Sequence, residues 1–201
     1  MKLSYKQAWK DYSLTIWHII SVFGYNTFPS GLRFLFFIMF ERYTEKARRV
    51  IFFARYEALQ YGSLVILPEH LLLGLMREDK TISPRFFPFR HSISVDTVRR
   101  EVEERIVLRE RIPQSAELHL APETKQILAF ANEESEHFQA GHLGVEHLLL
   151  GILREGDSIA AEILFGYGVQ LAAVKEKIGL QNVTPNRRRK RPEKETPNLE
   201  E

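Results

Sequence analysis

The residues with the most chemical capacity in this chain are two Glu-His pairs, Glu69-His70 and Glu146-His147. A carboxylate beside an imidazole can serve acid–base catalysis or metal binding. Three histidines also recur at five-residue spacing: His137, His142 and His147. That spacing does not align side chains on one helix face, and no His-Glu-x-x-His motif occurs. We therefore interpret the histidines as partly buried groups that bond a loop or the other half of the fold, and we expect no metal site.

No other pattern in the sequence is typical of catalysis. The 201 residues contain no Cys, which excludes a Cys nucleophile, a thiolate zinc site and a disulfide framework. There is no G-x-x-x-x-G-K-[ST] motif and no Gly-Lys dipeptide, so no phosphate-binding loop with its lysine can form. We expect no catalytic residues and no cofactor. The absence of Cys fits a reducing compartment, and we expect a cytoplasmic protein.

The strongest signal in the sequence is an internal repeat. Residues 69–78 and 146–155 are identical at eight of ten positions, at an offset of 77. Ala54 and Glu57 match Ala131 and Glu134 at the same offset. The middle of the chain is therefore two copies of one unit, which we place at about 39–108 and 117–180, joined by a linker over 109–119.

Hydrophobic periodicity predicts four helices in each copy and no strands. The expected helices of the first copy are 44–60, one starting near Pro68, 81–87 and 94–107. Those of the second are 122–138, one starting near Val145, 158–166 and 169–178, with Ser158 as an N-cap. Apolar residues at the repeated leucines predict a core, and Gly74 and Gly151 predict close helix crossings. The fold class is all-α: eight helices as two pseudo-symmetric four-helix repeats.

The two ends differ from this 39–180 domain. Residues 1–38 are rich in aromatic side chains and form an N-terminal extension. They suit a membrane-surface helix, a docking helix or sequence upstream of a true start at Met39. Residues 181–201 contain three prolines and almost no apolar side chains, and we expect a disordered, charged tail. The net charge of +2 gives no indication of nucleic-acid binding.

The sequence resembles a known family at its repeat. Met-Phe-Glu-Arg-Tyr-Thr-Glu-Lys-Ala-Arg-Arg (39–49) and the two Glu-His-Leu-Leu-Leu-Gly copies look like the N-terminal repeat domain of the Clp ATPases, ClpC type above all. The resemblance implies a doubled four-helix unit that docks adaptors and substrates. It also implies protein partners of three kinds: Clp ATPase or ClpP subunits, adaptors and substrate proteins.

The same resemblance points to a ligand site at the two glutamates. In ClpC-type domains the glutamates that match Glu69 and Glu146 bind the guanidinium of phosphorylated arginine, and a Thr hydroxyl meets the phosphate. This chain has Leu67-Pro68 and Gly144-Val145 where the family has Gly-Thr. Pro68 offers neither hydroxyl nor N–H, whereas Val145 keeps its backbone N–H. The resemblance thus implies Glu146, with Gly144 and Val145, as the better preserved of the two sites.

Another segment predicts a partner surface. Phe86, Phe87 and Phe89 are flanked by arginines and prolines, a composition that is compatible with an exposed patch for a protein partner. The alternative is that these rings fill the core.

The sequence leaves three functions open. The first is a protein-binding module that takes part in regulated proteolysis. The second is a structural accessory subunit that docks on Clp ATPase or ClpP rings, and the third is a remnant of a truncated Clp ATPase gene.

Overall fold

The computed structural model describes residues 42–88 and 93–183. Eight helices and two short strands form in this part of the chain. The first repeat contains α1 (Glu45–Gln60), β1 (Val65–Ile66), α2 (Pro68–Glu78), α3 (Ile82–Phe86) and α4 (Val95–Glu103). The second contains β2 (His119–Leu120), α5 (Pro122–His137), α6 (Val145–Glu155), α7 (Ile159–Gly166) and α8 (Leu171–Val183).

The structure confirms the all-α class and the four helices per repeat. Two boundaries were wrong: α4 ends four residues before 107, and α8 continues to Val183. The two-residue strands were missed, because segments that short carry no readable alternation. The domain boundaries stay a prediction. Residues 1–38 and nearly all of residues 181–201 lie outside the described part of the chain, so the predictions for both ends stay predictions.

Hydroxyl side chains fix where three of the helices begin. Thr44 Oγ1 accepts a hydrogen bond from the Ala47 N–H at 3.2 Å and so caps α1. Ser94 caps α4 through the Thr97 N–H, also at 3.2 Å. Ser158 caps α7, which confirms the N-cap predicted for it. Each cap satisfies a donor that the first helical turn leaves without a partner.

Short parallel pairings hold the two repeats together in a pseudo-twofold arrangement. β1 pairs with β2 in parallel, and an isolated parallel bridge joins Tyr43 to Leu143. The two sets are equivalent at the repeat offset. The Ala121 N–H donates to the Ile66 carbonyl at 3.0 Å, and the Thr44 N–H donates to the Leu143 carbonyl at 2.9 Å. Each repeat therefore places the start of its first helix beside the start of the partner repeat's second helix.

The core lies where α2 and α6 pack against the other helices. The six repeated aliphatic residues are all buried, as predicted: Leu71, Leu72, Leu75, Leu148, Leu149 and Ile152. Two glycines allow this packing. A Cβ at Gly74 would overlap the Val50 carbonyl oxygen and lie 2.8 Å from the Ala54 nitrogen. A Cβ at Gly151 would overlap the Ile127 carbonyl oxygen, which confirms the predicted close helix crossings.

A buried carboxylate anchors the first repeat. Glu57 is fully buried on α1 and accepts hydrogen bonds from Arg77 of α2, at 3.2 Å, and from Arg99 of α4. The two bonds from Arg99 measure 2.6 Å and 3.0 Å and make a bidentate pair. One carboxylate therefore ties three helices together.

The second repeat has an equivalent buried carboxylate, with a lysine in place of one of the two arginines. Glu134 on α5 is 2% exposed and accepts hydrogen bonds from Arg154 of α6, at 3.3 Å, and from Lys175 of α8, at 2.8 Å. Both bonds reach Oε1, so the buried Oε2 has no protein partner among the described residues. Lysine in place of arginine thus leaves this carboxylate less completely satisfied than its counterpart.

The predicted aromatic patch is wrong for two of its three residues. Phe86 and Phe87 are 2% and 4% exposed and belong to the core, and the Phe87 ring contacts Tyr167 of the second repeat. Phe89 lies outside the described residues. No helix in the described ranges is both long and apolar enough to cross a membrane.

We expect Gly151→Ala to lower the free energy of unfolding by about 1–3 kcal/mol, because a methyl group forces α5 and α6 apart. Gly166→Ala is the matched control: a Cβ there meets nothing within 4 Å, so alanine should leave stability unchanged or raise it by up to about 1 kcal/mol. Urea denaturation followed by circular dichroism measures both. Equal effects at the two positions would contradict the crossing argument.

Candidate functional site

The candidate site consists of the N-terminal turns of α2 and α6. Each helix carries a glutamate at its second position, Glu69 in α2 and Glu146 in α6. The first backbone N–H groups of a helix have no partner within it and give this end a partial positive charge. Each turn therefore combines an acidic side chain with donors that suit an anion.

The histidine of each pair completes its helix start. The Leu67 N–H donates to His70 Nδ1 at 3.1 Å, and the Gly144 N–H donates to His147 Nδ1 at 2.9 Å. Each imidazole thus fills the role that a glutamate has in a capping box. Because Nδ1 accepts, the neutral ring carries its proton on Nε2.

Burial keeps both of these imidazoles neutral. His70 and His147 are 1% and 2% exposed. Burial lowers the pKa of His70 to about 4, against the opposing effect of the nearby Glu57 carboxylate. Burial also lowers the pKa of His147, opposed by Glu146 and Glu134. The two histidines are structural acceptors that bond the loop before their own helix, as the sequence predicted.

The other histidines do not join them. His137 and His142 are exposed, whereas His147 is buried, so the five-residue series does not converge. Across residues 42–88 and 93–183, no group of three or more His, Asp or Glu side chains is placed to hold a metal ion.

Glu69 is the less accessible of the two glutamates. It is 5% exposed, and burial raises the pKa of its carboxyl. Glu123, in the first turn of α5, raises that pKa further because the β1–β2 pairing brings the two helix starts together. Sequence reasoning missed Glu123, although its position after Pro122 at a helix start was a readable signal.

Glu146 is open to solvent. Its side chain is 28% exposed, and its carboxylate folds back over Gly144, where an added Cβ would collide with it. Glu146 Oε1 lies 3.9 Å from His147 Nδ1, which accepts a hydrogen bond, so the neutral ring forms no ion pair with it. Val145 is buried as a whole residue, at 3% exposed.

The chain matches the family model of the Clp repeat (R) N-terminal domain over residues 42–195. It is 33% identical over 141 residues to the negative regulator of genetic competence ClpC/MecB of Bacillus subtilis, covering 70% of this chain and 17% of that protein. It is 35% identical over 146 residues to the chloroplastic chaperone protein ClpC of Pisum sativum, covering 73% and 16%. The chain thus spans about a sixth of the length of these curated relatives.

Solved structures show the same fold. The N-terminal domain of the chaperone ClpD from Arabidopsis thaliana superposes with a TM-score of 0.57 at 27% identity, covering 72% of this chain and 99% of that one. The Hsp104 N-terminal domain from Candida albicans gives a TM-score of 0.53 at 21% identity, covering 69% and 91%, and supports the fold alone.

We expect the free energy of unfolding to fall as the pH drops from 6.5 to 4, by on the order of 3 kcal/mol from His70. Stability falls at low pH because the pKa of His70 is lower in the folded protein than in the unfolded chain. The contribution of His70 to the free energy of unfolding is therefore complete above pH 6.5 and is lost toward pH 4. His70→Gln should flatten that pH dependence and lower stability at pH 7. The exposed His142→Gln is the control, and urea titrations at several pH values provide the measurement. An unchanged slope in His70→Gln would contradict the neutral-cap assignment.

Proposed function

Because this chain belongs to the Clp repeat (R) N-terminal domain family, we propose that it is a protein-binding module without chemistry of its own. It recognises substrates, adaptors or Clp subunits in regulated proteolysis. A cytoplasmic location stays a prediction, since one of the relatives above is chloroplastic by name.

The observation that carries this proposal is the open carboxylate of Glu146. Its side chain is partly exposed, and it forms no ion pair with a lysine or arginine in the described part of the chain. A carboxylate in this state is available to a cationic group of a ligand. A guanidinium suits it, because it pairs with a carboxylate through two parallel charge-assisted hydrogen bonds.

The surroundings of Glu146 suit an anion next to that cation. α6 begins directly after Gly144, and the backbone N–H groups of a helix N-terminus favour a negatively charged group. A phosphorylated arginine carries a guanidinium and a phosphate side by side and so matches both features. The Thr hydroxyl of related domains is replaced here by the buried Val145, so the phosphate depends on backbone donors alone.

Glu69 is a poor second site. Its carboxylate is buried beside Glu123, and Pro68 removes the first N–H of α2. The two repeats therefore differ in function at equivalent positions, with the second repeat as the ligand-binding one.

We expect a phosphoarginine peptide to bind wild-type protein and Glu69→Gln alike, and to bind Glu146→Gln at least about tenfold more weakly. The glutamine keeps the size of the side chain but removes the charge that pairs with the guanidinium. Isothermal titration with the phosphoarginine peptide and with its unphosphorylated arginine analogue measures the difference. No heat and no amide chemical-shift change up to millimolar peptide would rule out this ligand.

Affinity capture from lysate of the source organism separates the module from an accessory subunit. We expect wild-type chain to retain a set of client or adaptor proteins that Glu146→Gln loses, with Glu69→Gln as the control. Stoichiometric recovery of Clp ATPase or ClpP subunits by all three baits would instead support a subunit that docks on Clp rings. A bait that retains nothing specific would favour the gene-remnant alternative.

A further inference from the structure

A groove of about 620 Å³ lies on the first repeat, between α1, α2, α4 and residues 108–111, where the linker begins. We call it the linker groove. Its walls combine two tyrosine rings with four arginines: Tyr56, Tyr61, Arg77, Arg99, Arg109 and Arg111. None of the glutamates at the helix starts lines it, so it is separate from the site proposed above.

The outer wall of the linker groove is held in place by the fold. The Ile112 N–H donates to the Leu59 carbonyl at 3.0 Å. Arg55 donates to the carbonyls of Gln114 and Ala116 at 3.0 Å and 2.7 Å. Gly62 has a φ of +68°, and a Cβ there would overlap the backbone of the linker. These contacts hold the wall against the end of α1 in the free protein. Binding therefore carries no entropic cost for ordering the wall.

The floor of the groove carries two guanidinium groups and only one buried carboxylate. Arg77 and Arg99 both bond Glu57, and their side chains remain 29% and 28% exposed. Arg99 uses three of its five N–H donors on Glu57 and Tyr61, within the described residues. The guanidinium of Arg77 stacks over the Tyr56 ring at 4.8 Å. Donors on both groups remain available to an anion in the groove.

The net charge of the groove walls limits how many negative charges the bound anion can carry. Arg109 and Arg111 are exposed and form no ion pair within 42–88 and 93–183, while Glu103 and Glu110 also line the groove. Four arginines against three carboxylates, with Glu57 included, leave one net positive charge. That balance suits one or two carboxylates, whereas a nucleic acid requires a row of unpaired cations. Leu108, 58% exposed on the rim, and the tyrosine rings suit an apolar neighbour of the anion.

We propose that the linker groove binds a short acidic peptide segment of a partner protein, with an aspartate or glutamate next to an aromatic or aliphatic residue. The carboxylate pairs with the free donors of Arg77 and Arg99, and Arg109 and Arg111 attract it at the entrance. The apolar residue packs against Tyr56 and Leu108. Burial raises the pKa of Tyr61 to about 12, so this phenol stays neutral and adds no negative charge.

The test is a titration of the full chain, ¹⁵N-labelled, with a blocked Glu-Phe-Asp peptide and its neutral Gln-Phe-Asn analogue. We expect amide shifts at Gln60 and at 107–111 with the acidic peptide, and at least about tenfold weaker binding by the neutral one. Arg109→Glu/Arg111→Glu should lose at least about tenfold in affinity without loss of the fold, since both side chains are exposed.

Matched variants separate this site from nonspecific charge and from the helix-start site. Lys80→Glu/Lys125→Glu makes the same charge change at two other exposed positions and should bind within about twofold of wild type. Glu69→Gln/Glu146→Gln should also bind the acidic peptide normally, so this site and the proposed phosphoarginine site can fail independently. Equal binding of the neutral peptide, equal loss in the lysine variant, the same shifts from inorganic phosphate, or no binding at millimolar peptide would each overturn the proposal.

Discussion

The close crossing of the first two helices in each repeat is the constraint on which the rest of the structure depends. Gly74 and Gly151 let the backbone of α2 and α6 touch the backbone of α1 and α5. At that distance the side chains on either side of the contact must be aliphatic and tightly packed, and the repeated leucines meet that requirement. A glycine in mid-helix costs about 1 kcal/mol relative to alanine, so the packing that it permits must return more than that.

The buried carboxylates follow from the same crossing. Glu57 and Glu134 lie where the paired helices meet, too deep for water to solvate them, and each therefore needs cations from neighbouring helices. The Glu57 cluster raises the pKa of Arg99 through their hydrogen bonds, and it leaves part of two guanidinium groups facing the linker groove. One requirement of the core thus places positive charge at the surface.

The sequence predicted what repeats and periodicity can encode. The 77-residue offset identified the paired leucines, both glycines and the second-helix starts, because these positions face the same environment twice. It did not predict the parallel pairing at Tyr43 and Leu143, which joins residues about 100 apart through backbone atoms. The prediction of an exposed patch was wrong for Phe86 and Phe87, since composition alone does not show which residues around a short helix face the core. The proximity of Glu123 to Glu69 depends on the β1–β2 pairing, which periodicity did not predict, although the position of Glu123 at a helix start was readable.

Duplication explains how two different surfaces arise from one fold. The core positions must stay the same in both repeats, because each pair of helices crosses in the same way. The starts of the second helices and the linker lie outside the glycine crossings, so their residues can differ between the repeats. In the first repeat, Pro68 and the neighbouring Glu123 close the helix-start site, while Arg99 and the seated linker form a groove. In the second, the helix start stays open at Glu146, and Lys175 takes the place of Arg99. Because the core carries the stability, the surfaces of the two repeats can differ without loss of the fold.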